Sequence, residues 1–533
     1  MAVAKQIIYR DEVQNKLVAG VNKLADAVVA TLGPRGNNVA IDKIWGPPAV
    51  IHDGVSVAKE ITLQDPFENM GAQLVKEAAT KTNENAGDGT TTATLLAQQL
   101  IVKGMKNISA GANPIMLRRG METAVKEVVK ELDALAKKVT KKDWLKVATI
   151  SAQDPIIGEK IVEAISLVGS NGTVEIEDGQ TLDIVIDHKE GMEFNKGYAS
   201  PYFVTDSDHM EAKLENPLIL ITDKKLMDFN ELVPLLDQVL KAERPLVIIA
   251  DDISGDALGT LAINTLRGHL RCLAIKAPGF GDRRKAMLED IAILTNGTVI
   301  TADQGLTIKD AKLDDLGEAN SVRSSNGSTR IVGGAGSKAD IKNRIAFIQK
   351  EIDQTTSDFD KEKLIERKAK LSTGVAVIKV GAATEVELQE AKERVKDAKE
   401  ATIAAIEEGV VTGGGVAYLQ ASKVLNSLKM NDPDEQAGVN LVKEALQMPI
   451  RILAENSGAD GGWVVNTILE KNDPNFGFNA LTLEFGDMIK QGVIDPKKVS
   501  KQALLNAASV AGGVLTTRVM ITEIKEDRPK VED

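Results

Sequence analysis

The residues with the most chemical content stand at Ala86-Gly87-Asp88-Gly89-Thr90-Thr91-Thr92, directly ahead of the helix-forming run Ala93–Leu100. Two glycines, a carboxylate and three hydroxyls open a helix there. A helix start offers free backbone N–H groups and the positive end of the dipole, which together favour a phosphate. The glycines let that backbone come close, the hydroxyls add donors, and Asp88 is placed to hold Mg²⁺ against phosphate oxygens. The plain alternative is an N-cap, since Asp and Thr are preferred there without any ligand. Three consecutive threonines weigh towards phosphate, because β-branched residues are poor choices for merely starting a helix. The familiar phosphate loops are absent: no G-x-x-x-x-G-K-[ST] occurs, and no G-x-G-x-x-G follows a strand in a βαβ unit.

Other loops carry weaker signals. Thr31-Leu32-Gly33-Pro34-Arg35-Gly36 ends a helix with Gly and Pro. Val410-Val411-Thr412-Gly413-Gly414-Gly415 places three glycines after a long helix, as a flexible corner or as backbone that touches a ligand. Asp53-Gly54 and Asp495-Pro496 are acidic turns. Taken singly, each is a turn. Cys272 is the only cysteine, which rules out an intrachain disulfide and favours a reducing compartment. The four histidines, His52, His188, His209 and His269, form no Cys/His cluster of the kind that binds zinc. A net charge of −12 weighs against nucleic acid or an anionic membrane as partner. The basic run Gly281-Asp282-Arg283-Arg284-Lys285 reads as a solvated loop or helix start. No stretch has the length of a signal-peptide core or a membrane span, so the expected location is cytoplasmic.

The elements that must position these loops change texture along the chain. At 533 residues the sequence exceeds one hydrophobic core, so about three or four domains are expected. Residues 11–32 and 64–135 read as helices, with Val13, Leu17, Val21, Leu24 and Val28 at three- and four-residue spacing. Residues 174–190 alternate like strands around Asp178-Gly179. Short strands (218–222, 246–250, 273–275, 298–301) then alternate with helices (229–241, 256–267, 284–294), the pattern of an α/β unit. A charged helical hairpin over 338–371 precedes the buried strand 374–380, and helices return over 385–408, 434–472 and 497–514. The helix-rich beginning therefore reappears at the end. The architecture this predicts is nested, with both termini in one domain and the middle inserted. Gly191, Gly374 and Gly409 lie near the texture changes and are hinge candidates.

In combination, these loops closely resemble the bacterial group I chaperonins, the GroEL family, over essentially the whole chain. The likeness is carried by Thr31–Pro34, Asp53-Gly54-Val55-Ser56-Val57-Ala58, Gly87–Thr92 and Lys276-Ala277-Pro278-Gly279-Phe280-Gly281-Asp282-Arg283-Arg284. It continues through Gly374–Thr384 and through Ala404-Ala405-Ile406-Glu407-Glu408 with its following glycines. The resemblance implies a multidomain α and α/β chaperonin fold. A helical equatorial ATP-binding domain would comprise 1–135 and 409–533, a small intermediate α/β domain 136–190 and 374–408, and an inserted apical α/β domain 191–373. It implies that Thr31, Leu32, Gly33, Pro34, His52, Asp88, Gly89, Thr90, Thr91, Thr92, Gly414, Asn479, Ala480, Leu481 and Asp495 surround ATP. Asp88 would take Mg²⁺, and K⁺ would lie near Thr31 and Thr90. Asp53 and Asp397 correspond to the family's acidic pair in hydrolysis. Asp397 by itself reads as a solvated charge, although helical spacing sets it on one face with Ala401, Ala404 and Ala405.

The same resemblance implies that Tyr198, Tyr202, Phe203, Val233, Leu236, Leu258, Ala262 and Ile263 form an apical rim for unfolded client proteins and a GroES-type co-chaperonin. Read as residues alone, such stripes are core packing. Heptameric rings, stacked in pairs back to back, are implied as well. Three positions depart from the family pattern: His52 replaces a usual Lys, Ala262 is smaller than usual, and the sequence closes on Asp527–Asp533 where a Gly- and Met-rich tail is usual. The competing class, an ATP-dependent metabolic enzyme, requires residues for a second substrate, and the sequence supplies none.

Overall fold

The computed structural model describes residues 4–523, apart from 43–47, 52, 170–171, 180, 208–209, 303–304, 356, 373 and 472. The chain divides into two compact units. One comprises residues 1–162, 181–183 and 380–533, and the other 163–180 and 184–379. Both termini thus fall in one unit, as the nested reading predicts. The segments expected to form an intermediate domain, 136–190 and 374–408, are shared between the two.

The first unit is a bundle of helices. Asp11–Val29 buries Val13, Leu17, Val21, Leu24 and Val28 on one stripe, the face its spacing predicts. It packs on the helix Pro66–Ala86 so closely that a Cβ at Gly20 would lie 1.8 Å from the Glu68 carbonyl oxygen. The helices Thr90–Ser109, Pro114–Leu135, Pro433–Ala445 and Lys497–Leu515 share this aliphatic core. Strand Lys5–Tyr9 pairs antiparallel with Val519–Glu523, so the two ends of the described chain are hydrogen-bonded to each other. The expected helix over 385–408 runs Glu385–Glu408 and packs against Lys141–Ala152, Lys497–Leu515 and Pro66–Ala86.

The second unit is built on a mixed sheet. Its parallel part runs Cys272–Lys276, Leu246–Ala250, Leu218–Thr222 and Val299–Ile300, with the inner strands wholly buried. Helices Val233–Lys241, Gly255–Leu266 and Asp282–Thr295 make the crossovers that parallel pairing requires. The sheet continues antiparallel through Gly317–Ser324, Thr329–Gly334 and Gly191–Phe194. The hairpin Gly317–Gly334 was not expected, because its buried positions include Ser321, Ser324 and Thr329 rather than an apolar alternation. A separate three-stranded sheet orders Thr173–Asp178, Val375–Val380 and Val185–Lys189. Among the described residues no helix is long and apolar enough to cross a membrane.

Candidate functional site

Gly89, not Asp88, is the N-cap of Thr90–Ser109. It adopts φ 84°, and the helix start has no side-chain cap. The capping explanation for this motif therefore fails, and the first-turn amides remain without a capping side chain. Gly87 ends the preceding helix at φ 70°, where its N–H donates to the Asn83 carbonyl. Two left-handed glycines flank Asp88, which only a residue without Cβ adopts at low cost. The Asp88 carboxylate accepts from the Gly89 N–H and, at 3.1 Å, from the Ser151 hydroxyl. Thr90 is buried, and its carbonyl accepts from Thr94 Oγ1 at 2.9 Å.

Asp53 caps the short helix Gly54–Glu60, accepting from Val55 N at 3.1 Å and Ser56 N at 2.8 Å. That cap holds Gly54 against the threonine loop: a Cβ on Gly54 would lie 2.3 Å from Thr91 Oγ1. Asp397 is half-buried on Glu385–Glu408, while Ala401, Ala404 and Ala405 are buried as the small-residue face predicts. Glu400, one turn on, lies where a Cβ on Gly87 would meet it at 2.0 Å, so this helix seats directly on the loop that carries Asp88.

The electrostatics join these groups. Burial pushes the Asp397 carboxyl well above the usual carboxylate range, and the charges of Asp88 and Asp53 add to the push. Asp88 is also raised, chiefly by burial and further by Asp53, against the opposing bonds from Gly89 and Ser151. Asp495, on the strand Ile494–Pro496 paired with Val410–Thr412, is pushed up to about 6 by burial and then by the Asp88 charge, while a bond from the Gly414 N–H opposes the rise. Burial likewise raises the Tyr418 hydroxyl, with Asp495 adding, and that hydroxyl donates to the Ser500 carbonyl at 2.6 Å.

The remaining loops close the rim of the same unit. Thr31 is buried, and its hydroxyl donates to the Val28 carbonyl at 2.8 Å. Leu32 and Gly33 are half-buried and Pro34 is exposed. Gly33 takes φ 90° against Leu453. Asn456 holds this turn by donating to the carbonyls of Val29 and Leu32 at 3.2 and 3.0 Å. Arg35 reaches the Leu481 carbonyl at 2.8 Å, which ties the turn to the corner Asn479-Ala480-Leu481. Asn479 accepts from Leu481 N at 3.0 Å and donates to Gln491, so its side chain shapes that corner. Gly414 is left-handed at φ 66°, and a Cβ there would meet nothing nearer than 3.7 Å. Thr92 lies half-buried in the first turn. His52 lies outside the described residues.

Among the described residues, no three acidic, His or Cys side chains converge closely enough to hold a metal by themselves. Asp88, with the Ser151 hydroxyl beside it, offers a single carboxylate of the kind by which Mg²⁺ is commonly held when substrate phosphates fill its other positions. Ser151, Asn456 and Arg35 were missed at the level of sequence. Ser151 and Asn456 sit in unremarkable helices with nothing to mark them. Glu400 was missed as well, being one more charge on a charged helix.

The eight expected rim residues divide by exposure. Tyr202, Val233 and Ile263 are exposed, and Leu258 is half-buried. Tyr198, Phe203, Leu236 and Ala262 are instead buried in the core of the second unit, which corrects the expectation that all eight are exposed. The reason is helical period. Leu236 shares the sheet-facing stripe with Leu232, Leu235 and Val239, while Val233 is turned away from it. The helix Gly255–Leu266 packs on the turn Pro201–Phe203, so Phe203 and Ala262 face the core while Tyr202 and Ile263 are exposed.

Of the glycines proposed as hinges, Gly374 and Gly409 take φ 63° and 83°. Gly191 lies within a strand opposite Val332, where a Cβ would meet the Ile331 carbonyl oxygen at 2.5 Å.

A helical unit from both chain ends, an inserted α/β unit and a loop of glycines, threonines and carboxylates define the chaperonin class of fold. The TCP-1/cpn60 chaperonin family model matches residues 24–525, and the chain belongs to that family. Family membership carries a chaperone role in protein folding, with client binding and ring assembly as its general features.

Asp495 generates a pH test. Its folded pKa lies above the ordinary value of 3.8, so the native state binds more protons than the unfolded state between about pH 4 and 6. Stability therefore falls as pH rises through that window, and the cost persists above it. In Asp495→Asn the cost is absent. Thermal scans of the nucleotide-free protein at pH 8 should show the variant melting about 2–4 °C higher, with the gap closing towards pH 4.5.

Proposed function

We propose that this chain is a group I, GroEL-type chaperonin subunit that captures non-native proteins on an apolar apical rim. It then encloses them in a ring cavity, driven by hydrolysis of ATP to ADP and phosphate. The observation that carries this reading is the uncapped helix start at Gly89–Thr92, set among Asp53, Asp88 and Asp397 within one unit. An unpaired helix N-terminus with three hydroxyls suits a polyphosphate, and buried carboxylates of like charge suit a bound cation.

In this reading the amides and hydroxyls of Gly89–Thr92 hold the phosphates, and Asp88, aimed by Ser151, takes Mg²⁺. Mg²⁺ when bound neutralises charge on the phosphate oxygens. Thr31 and Thr90 lie near a K⁺ site. The Thr31–Pro34 turn, Gly414, the 479–481 corner and Asp495 enclose the base and ribose. Asp397 takes a proton from the attacking water as its oxygen bonds to the γ-phosphorus and the bond to the β–γ bridging oxygen breaks. A carboxyl lifted above its ordinary range is a stronger base than a solvated one. Asp53 fixes the loop beside Thr91.

The rim consists of Tyr202, Val233 and Ile263, with Leu258 at its margin. Its attraction for clients is non-directional, which suits many substrates. The domains follow the boundaries 1–135 with 409–533, 136–190 with 374–408, and 191–373, with Gly191, Gly374 and Gly409 as pivots. ATP shifts the assembly only by preferring the rotated state. Partners are unfolded proteins, a GroES-type lid, and further copies in stacked heptameric rings within the cytoplasm.

Asp397→Ala should retain nucleotide binding in a titration while single-turnover hydrolysis slows by roughly 10²–10⁴-fold; hydrolysis at the wild-type rate removes its role. For the rim, Val233→Ser with Ile263→Ser should abolish retention of a denatured client in gel filtration and leave the ATPase rate intact. Undiminished retention would place client binding elsewhere.

A further inference from the structure

The three-stranded sheet and the large sheet of the second unit are separate ladders among the described residues. The chain passes between them at Glu190-Gly191 and again just before Val375. An apolar bearing of Val332, Val375 and Val377 lies near these crossings. The edge strand Thr173–Asp178 is attached differently, through charge. Glu175, only 2% exposed, receives Arg323 Nη1 at 2.6 Å and Arg330 Nη1 at 3.3 Å. Arg330 Nε also donates to Glu193 at 3.0 Å, and Glu193 accepts from the Thr173 hydroxyl at 3.3 Å. Arg323 reaches across once more to the Ile176 carbonyl at 3.2 Å. Two carboxylates and two guanidinium groups thus balance in charge, and these ties from the large sheet to the edge strand all involve a side chain.

We infer that Glu175, Arg323, Arg330 and Glu193 form a releasable latch across the Gly191/Gly374 pivot, and that this latch sets how much ATP is needed to turn the apical sheet. The inference rests on the proposed hinge motion. Its physical basis is the choice of charge over apolar contact. Withdrawn from water, a bidentate set of ion pairs holds one geometry. Once parted, each charged group regains its hydration, which offsets part of the cost of opening and lets the tie re-form. Arg323 Nε, buried without a hydrogen-bond partner, shows that the closed arrangement leaves one donor unsatisfied. That lowers the cost of opening.

The test is a distance measurement in the full-length assembled protein. Spin labels go on cysteines introduced at the exposed residues Val185 and Asn326, one on each sheet. The native Cys272 is buried, with its thiol pushed up to about 12, and stays unlabelled. Glu175→Gln should broaden the label-to-label distribution without nucleotide and lower the ATP concentration at the midpoint of the shift roughly tenfold. A wild-type width and midpoint in that variant overturn the latch. If Glu175→Gln does not fold, the combined Glu175→Leu, Glu193→Gln, Arg323→Met, Arg330→Met variant carries the test, because it removes all four charges of the latch together. Its midpoint should rise, and an unchanged midpoint overturns the latch. A wild-type distribution that ATP fails to move counts against the proposed hinge motion, while the nucleotide-free broadening still tests the latch.

Discussion

Half-buried carboxylates of like charge, gathered within one helical unit, are the constraint around which the candidate site is arranged. Asp88, Asp397 and Asp495 each have their carboxyl raised by burial, and in each case a neighbouring aspartate adds to the effect. A fold does not gather such groups for stability, since each ionised carboxylate away from water opposes folding. On the proposed function, a bound cation would offset that cost, so the arrangement that opposes folding of the protein alone would favour its nucleotide-bound form.

Holding such a cluster requires rigid supports from distant parts of the chain. Asp53 and Asp88 come from the first hundred residues, whereas Asp397 and Asp495 come from the last third. They share one unit because the second unit is inserted between them and because the termini are joined strand to strand. Close approach is secured by missing side chains: Gly54 against Thr91, and Gly87 against Glu400. The second unit follows a different logic, with a buried parallel sheet supplying stiffness and charged side chains tying its smaller sheet in place.

Legibility in the sequence followed physical signal strength. The aliphatic stripe of Asp11–Val29 and the strands of the parallel sheet were readable because each buries a clean period of apolar residues. The hairpin Gly317–Gly334 was not, since hydroxyl pairs such as Ser324 and Thr329, 2.9 Å apart, replace apolar packing on its covered face. The Gly87–Thr92 loop announced itself by composition, yet Ser151 did not, because a lone serine in a helix carries no spacing. Asp397 needed the family resemblance, as its sequence neighbours are charged. Of the eight residues expected on a rim, the structure exposes or half-exposes four and buries four, and only helical period separates Val233 from Leu236.

The most direct measurement is proton release on nucleotide binding. Calorimetry would titrate Mg²⁺ with a non-hydrolysable ATP analogue into the protein at a series of pH values through the range in which raised carboxyls titrate, in buffers of differing ionisation enthalpy. If a bound cation answers the raised carboxyl of Asp88, wild-type protein should release protons in excess of Asp88→Asn protein, because the cation returns that carboxyl to its ionised form. Equal proton counts in the two proteins, or net uptake by the wild type, would contradict the account.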